Sequence, residues 1–370
     1  MLRRETERPY DMTLLVCVLI LLSVGVVMVY SASSVEALAL YGSASYFLKR
    51  QLLWAVLGLV VMYVLSRVPY ENWARWAVPI FLFTVVCLLL VLVPHVGVTV
   101  NGARRWIGAG PLLFQPSELA KLSVVVLFAL TLTRRNVPIS DFRRGFLPHL
   151  AAVAVLFALI IKEPDLGTAL SLGGTAIVML IVAGADFLHI IGLALMGVPA
   201  VAALIVTEPY RMQRILAFID PFKDPLGSGY QTIQALLALG SGGLLGTGLG
   251  HSALKYFYLP EAHTDVIFAI LAEELGFVGG VAVIALFFVF AWRGYRVALA
   301  SADPFASVMA VGLTTMILLQ AVLNIGVVTD SLPVTGVPLP FISYGGSSLL
   351  FTLAAVGILL NISRHGRAGG

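Results

Sequence analysis

Asp265 stands in the run Leu259-Pro260-Glu261-Ala262-His263-Thr264-Asp265-Val266-Ile267-Phe268, where a long polar stretch gives way to a strongly apolar one. A carboxylate there could take a proton from a hydroxyl group. It could equally cap the helix that follows, since Asp is a favoured N-cap and gains from the helix dipole. The local pattern leaves both readings open. His263 suits a ligand, a proton partner or an interfacial hydrogen bond. Glu273 and Glu274 follow about 12 Å along the same helix at about 1.5 Å per residue. Being adjacent, they are expected to face different ways, one of them toward a neighbouring helix.

Three further groups carry chemistry. Asn101-Gly102-Ala103-Arg104-Arg105-Trp106-Ile107-Gly108 sets two guanidinium groups side by side. Arg offers rigid donors and a permanent charge, so the pair could clamp a phosphate or pyrophosphate, or anchor to lipid headgroups beside Trp106. Phe114-Gln115-Pro116-Ser117-Glu118 and Lys121 follow, with Ser117 a candidate helix cap. Glu118 and Lys121, three apart, share a helix face. A charged pair inside the hydrocarbon boundary needs a partner or water, so this is either a structural ion pair or part of a site. Pro333 to Leu349 holds three prolines and three glycines, with Ser343 and Tyr344 among them, and runs straight into an apolar span. Irregular backbone at membrane depth survives where it lines a cavity; the alternative is an ordinary turn with an N-cap serine.

The elements that must position these residues are membrane helices. Of the 370 residues 59% are hydrophobic and only 11% charged, and the mean hydropathy is +0.99. The soluble average is about 25% charged. The expected fold is therefore all-α, a polytopic integral membrane protein with about ten transmembrane helices. The spans fall near 12–32, 52–68, 75–94, 117–133, 146–162, 167–184, 186–206, 265–292, 304–327 and 346–363. Each can cross a core of about 30 Å. A long outer loop, 207–264, separates helices 7 and 8, and its moderately apolar run Gln231 to Leu239 suits a short interfacial or re-entrant helix. The chain reads as one membrane domain, 1–370, without an internal repeat.

The net charge of +4 comes from basic residues scattered between apolar runs, which argues against a nucleic-acid partner. Placing the amino terminus in the cytoplasm assigns thirteen Lys and Arg to that side: Arg3, Arg4, Arg8, Arg67, Arg75, Arg134, Arg135, Arg143, Arg144, Arg293, Arg296, Arg364 and Arg367. Nine fall outside: Lys49, Arg50, Arg104, Arg105, Lys162, Arg211, Arg214, Lys223 and Lys255. The bias puts both termini inside, and an anionic ligand would account for the outer charges. Cys17 and Cys87 both lie within apolar spans, and no disulfide framework or metal-ligand spacing is visible.

These motifs, with Glu163-Pro164-Asp165-Leu166-Gly167-Thr168, Asp224-Pro225-Leu226-Gly227-Ser228-Gly229-Tyr230-Gln231 and Pro338 to Ser348, resemble the SEDS family of shape, elongation, division and sporulation proteins, over about residues 10 to 363. The likeness is greater to the division and sporulation branch than to the elongation branch. The resemblance implies a peptidoglycan glycosyltransferase that polymerises lipid II on the outer face of the bacterial cytoplasmic membrane. Its implied partners are a class B penicillin-binding protein, acting as transpeptidase, and other division proteins. It also implies that Asp265 is the catalytic residue. The substrate-binding candidates are Arg104, Arg105, Trp106, Glu118, Lys121, Glu261, His263, Ser343 and Tyr344, with a divalent cation, Mg or Mn, sharing the pyrophosphate. A lipid II flippase and a non-catalytic scaffold for a penicillin-binding protein are the alternative functions.

Overall fold

The computed structural model describes residues 9–100, 102–109, 112–134, 138–256 and 258–365. Asn101, Arg3, Arg4, Arg8, Arg135 and Arg367, all used in the sequence reading, lie outside the described residues. Seven helices come first: α1 Met12–Tyr41, α2 Tyr46–Arg67, α3 Asn72–Leu92, α4 Pro116–Leu132, α5 Leu147–Lys162, α6 Leu166–Val182 and α7 Phe187–Val206. Two short helices follow within the loop 207–264, α8 Pro209–Ile219 and α9 Tyr230–Ser241. The chain then returns to long helices in α10 Ile267–Ala300, α11 Pro304–Val328 and α12 Gly346–Ser363.

Among the described residues, eight helices are long and apolar enough to cross a membrane. They are α1, α2, α3, α5 with its leading turn Phe142–Phe146, α7, α10, α11 and α12. The other two expected spans are α4 and α6, each seventeen residues and about 25 Å at about 1.5 Å per residue. The polytopic all-α expectation is met, with shifted boundaries. The first span runs on to Tyr41, where Gly42 at φ 68° ends it in the left-handed conformation that suits glycine. α10 is broken at Gly276 (φ 72°, ψ −173°), and the stretch after the break alone suffices to cross about 30 Å.

α11 and α12 are the most enclosed of the long helices, whereas α7 buries no residue. α12 packs on α2 and α11. α11 lies against α4, α6 and α10, and α1 against α2 and α10. Local chemistry fixes the helix starts. Pro116 occupies the first position of α4, where its missing N–H costs nothing, and the side chains of Asp11, Asp165, Asp186 and Asp303 cap α1, α6, α7 and α11. Ser117 therefore lies inside the first turn rather than capping it. At one end of the bundle Asp11 pairs with Arg293 at 2.6 Å, and its backbone N–H donates to Ser363.

The opposite end carries an element other than a helix, in the stretch between α3 and α4 that lies outside the expected spans. Strands β1 Gly97–Val100, β2 Ala103–Ala109 and β3 Leu112–Phe114 form an antiparallel sheet in the order β1-β2-β3. The register of β1 on β2 slips between Val98 and Thr99, which leaves Arg105 as an extra residue between Arg104 and Trp106, as in a β-bulge. This hairpin end also gathers the α5–α6 junction, α8, the start of α10 and the segment before α12.

Candidate active site at the hairpin end

Asp265 lies two residues before α10, and the capping position is Val266, so its side chain caps nothing. Its backbone carbonyl accepts from Asn324 Nδ2 at 2.7 Å, and the same amide donates to Val337 O at 2.8 Å. The preceding residues are tied to the segment before α12. Ser343 Oγ donates to Thr264 O at 2.6 Å, and Tyr344 N donates to His263 O at 2.9 Å. Backbone is thus pinned on both sides, while no hydrogen bond or ion pair to the Asp265 carboxylate is found among the described residues. Gly336, at φ 76°, leaves room for it: a Cβ there would stand 3.2 Å from Asp265 Oδ2. Burial, followed by the nearby charge of Glu261, pushes the Asp265 carboxyl up to about 6, against the pull of Arg214 and Arg105. Near neutral pH it is a mostly ionised, unpaired base.

Arg105 and Arg214 are the guanidinium groups nearest in effect. Arg105 Nε donates to Glu163 O at 3.0 Å, its Nη2 to Pro164 O, and its Nη1 lies 4.0 Å from Asp165 Oδ2. Asp165 also accepts from Thr168 and from Gln115 Nε2 at 3.1 Å. Arg214, on α8, donates to Val334 O at 3.2 Å. Between α6, α7, α8 and 333–335 lies a cavity of about 80 Å³, lined in part by Tyr210, Arg214 and Thr335.

The adjacent-arginine clamp expected from sequence is not formed. The Arg104 stem lies over Gly97 and its Nη1 reaches Leu92 O at 3.4 Å, away from the partners of Arg105. Trp106 is half-buried on β2, opposite Val98.

Glu163 is fully buried, neither carboxyl oxygen has a hydrogen-bond partner among the described residues, and burial with the Asp165 charge pushes it up to about 9. A carboxyl raised in the fold above its ordinary 4.5 binds more protons folded than unfolded. Its contribution is full below that ordinary value and is lost as pH rises toward 9. Glu163→Gln is therefore expected to melt higher than the parent at about pH 8 and to flatten the pH dependence of melting, measured by thermal unfolding across that range.

Glu118 and Lys121 are both buried and pair at 3.0 Å. Lys121 Nζ also donates to Gln320 Oε1 at 2.6 Å, and Gln320 Nε2 donates to Pro338 O at 3.0 Å. Gln320 and Asn324, one turn apart on α11, link this buried pair to the segment before α12 and to the backbone of Asp265. The Lys121 ammonium is committed to these contacts, so its place is in the support beneath the site.

His263 is buried, with Nδ1 3.3 Å from Glu36 Oε2 and its ring beside Phe47 and Tyr344 at 4.3 and 5.5 Å. Glu261, at φ 54°, accepts from Thr264 Oγ1 at 2.8 Å. Ser343 donates to Thr264 O and accepts from Leu339 N, so it clamps the turn. Neither serine N-cap nor ordinary turn describes this segment, since Gly345 holds the N-cap position of α12 without a side-chain bond. Burial raises the Tyr344 phenol, partly countered by Arg50.

Sequence reasoning left Arg214, Asp165, Gln320, Asn324, Gly336 and Glu36 without roles. Gln320 and Asn324 did carry a signal, as amides spaced one turn apart inside an apolar span. Among the described residues no group of three or more His, Cys, Asp or Glu is placed to hold a metal ion.

These features define a polytopic membrane protein whose bundle closes at one end over an unpaired carboxylate flanked by arginines. The chain belongs to the FtsW/RodA/SpoVE family of cell cycle proteins, whose model matches residues 12–368. It is 48% identical over 357 residues to stage V sporulation protein E of Bacillus subtilis (strain 168), covering 96% of this chain and 98% of that one. It is 46% identical over 358 residues to the probable peptidoglycan glycosyltransferase FtsW of Geobacter sp. (strain M18), covering 97% and 98%.

A chain of a solved peptidoglycan synthase complex superposes with a TM-score of 0.79 at 33% identity, covering 96% of this chain and 98% of that one. The rod shape determining protein RodA of Thermus thermophilus gives 0.71 at 31%, covering 96% and 97%. The family expectation is met, with the higher identities in the sporulation and division branch.

Proposed function

We propose that this chain is a peptidoglycan glycosyltransferase that polymerises lipid II, with Asp265 as general base. It is an enzyme of septal wall synthesis, serving division or sporulation. The observation that carries the base assignment is the Asp265 carboxylate, half-buried, free of hydrogen bonds among the described residues and held by its backbone.

Making a β-1,4 link from an α-linked lipid pyrophosphate inverts the anomeric carbon. The acceptor hydroxyl oxygen attacks that carbon, and the bond to the pyrophosphate breaks on the opposite side. The hydroxyl proton passes to Asp265, and the lipid pyrophosphate leaves with the bonding pair. Arg105 and Arg214, which act electrostatically on Asp265, are suited to meet the charge that develops on the leaving group. Glu118 and Lys121 support the site from beneath through Gln320. In this reading the hairpin end faces outward, both termini are cytoplasmic, and the anionic pyrophosphate explains the arginines there. A class B penicillin-binding protein would cross-link the emerging strand, alongside other division proteins.

Purified protein, with and without such a partner, incubated with lipid II and a divalent cation, tests the proposal. Glycan polymer formed by the parent and lost in Asp265→Ala supports it. Polymer unchanged by that substitution removes the base, and transbilayer movement of lipid II without polymer would replace the enzyme with a flippase.

A further inference from the structure

The break in α10 is filled by the outer part of the loop that precedes Asp265. Glu273 O and Glu274 O, which an unbroken helix would bond in line, accept from Thr247 N and Gly248 N at 3.0 Å each. On the other side of the break, Phe277 N and Val278 N donate to Gly243 O and Leu244 O at 2.9 and 3.2 Å. Backbones meet so closely that a Cβ on Gly276 would strike Gly246 N, one on Gly246 would strike Glu274 O, and one on Gly242 would strike Ala272 O. The first turns of α10, 267–275, are therefore a separate helical block, with Asp265 at its leading end and the inserted loop at its trailing end.

Side chains fasten that trailing end. Glu274 meets the neighbouring helix α1, as expected from sequence, but Glu273 and Glu274 also both reach one loop segment. Ser252 Oγ and Ala253 N donate to Glu273, the latter at 2.9 Å. Ser252 N and Lys255 Nζ reach Glu274 Oε1 at 3.3 and 3.4 Å, and Ser31 Oγ on α1 donates to the same carboxylate at 2.6 and 2.8 Å. Glu273, Glu274 and Lys255 are all buried, and the Lys255 ammonium pairs with Glu274 where an unpaired charge is costly. None of these groups is among the residues assigned to the chemistry above.

We propose that Ser252 and Lys255, bound to Glu273 and Glu274, form a latch that positions Asp265 by fixing the block 267–275 against the rest of α10. The latch acts on the geometry of the base and touches no substrate. The inference rests on the glycosyltransferase reading. Misplacing a catalytic group by about 1 Å can cost on the order of 10²-fold in rate.

Polymerisation kinetics on lipid II with the full-length protein test it. Lys255→Met is expected to lower kcat by about tenfold or more with KM unchanged. Lys255→Met combined with Glu274→Gln, which removes both members of the buried ion pair together, is expected to recover most of the loss. Ser252→Ala keeps the ion pair and is expected to lower kcat several-fold at constant KM, which decides the matter if Lys255→Met fails to fold. Parental kcat in Ser252→Ala or in folded Lys255→Met, a change confined to KM, or no recovery in the double variant would overturn the latch. Absence of polymer from the parent would instead overturn the glycosyltransferase reading.

Discussion

Asp265→Asn is expected to lose about 10²- to 10⁴-fold in polymerisation rate, the contribution typical of a positioned general base. The amide keeps the shape and removes proton affinity in the relevant range. The fold is expected to survive, because Asn324 and the Ser343 clamp hold backbone rather than the carboxylate. Stability should even improve. The group is raised from its ordinary 3.8 to about 6, so its contribution is full below the ordinary value and lost as pH rises through 6. Above that pH the ionised, desolvated carboxylate weakens the folded state, and Asn removes the penalty. A variant inactive in a glycan gel assay yet melting no lower than the parent at about pH 8 is the expected outcome, a trade of stability for activity.

Arg105→Ala carries the second large effect. Removing a preorganised charged donor from a transition-state site costs about 10²- to 10³-fold. Arg105 also braces the α5–α6 junction through two carbonyls, so the same change loosens Asp165 and Glu163. Its charge holds Asp265 down, so the acid limb of the pH–rate profile is expected to move upward as well. Arg105→Lys should fall between, since an ammonium keeps the charge but cannot fork across two carbonyls. Initial rates at several lipid II concentrations and pH values separate these effects. A rate loss without any shift of the acid limb would place Arg105 away from Asp265.

Membrane crossing was legible because it depends on composition over about twenty residues, which hydropathy reports directly. The β-hairpin was not, since pairing of Gly97 with Ile107 is a tertiary choice that a short run with two arginines does not announce. That omission misplaced Arg104, whose guanidinium reaches Leu92 O while that of Arg105 reaches the α5–α6 junction. The break at Gly276 was hidden for a similar reason, because an isolated glycine in an apolar run also fits an unbroken helix.

Asp265 was legible as a costly carboxylate at the edge of a span, and the motifs around it fixed the family. Arg214, Asp165 and Gly336 gain their meaning only from convergence of α8, the α5–α6 junction and the segment before α12. The Glu273-Glu274 pair was legible in part, since Glu274 does meet α1 through Ser31. Helical geometry forbids adjacent side chains from sharing a direction, yet a loop inserted into a broken helix reaches both.

The pH dependence of polymerisation tests the central claim most directly. Initial rates of glycan synthesis from lipid II, followed from about pH 5 to about pH 8 in the parent and in Asp265→Glu, report the base itself. The parent is expected to gain activity with rising pH, half-maximal near 6, as the Asp265 carboxyl ionises. The glutamate variant should retain a residual rate with a displaced limb. A flat parental profile, or an acid limb identical in both proteins, would contradict Asp265 as the base.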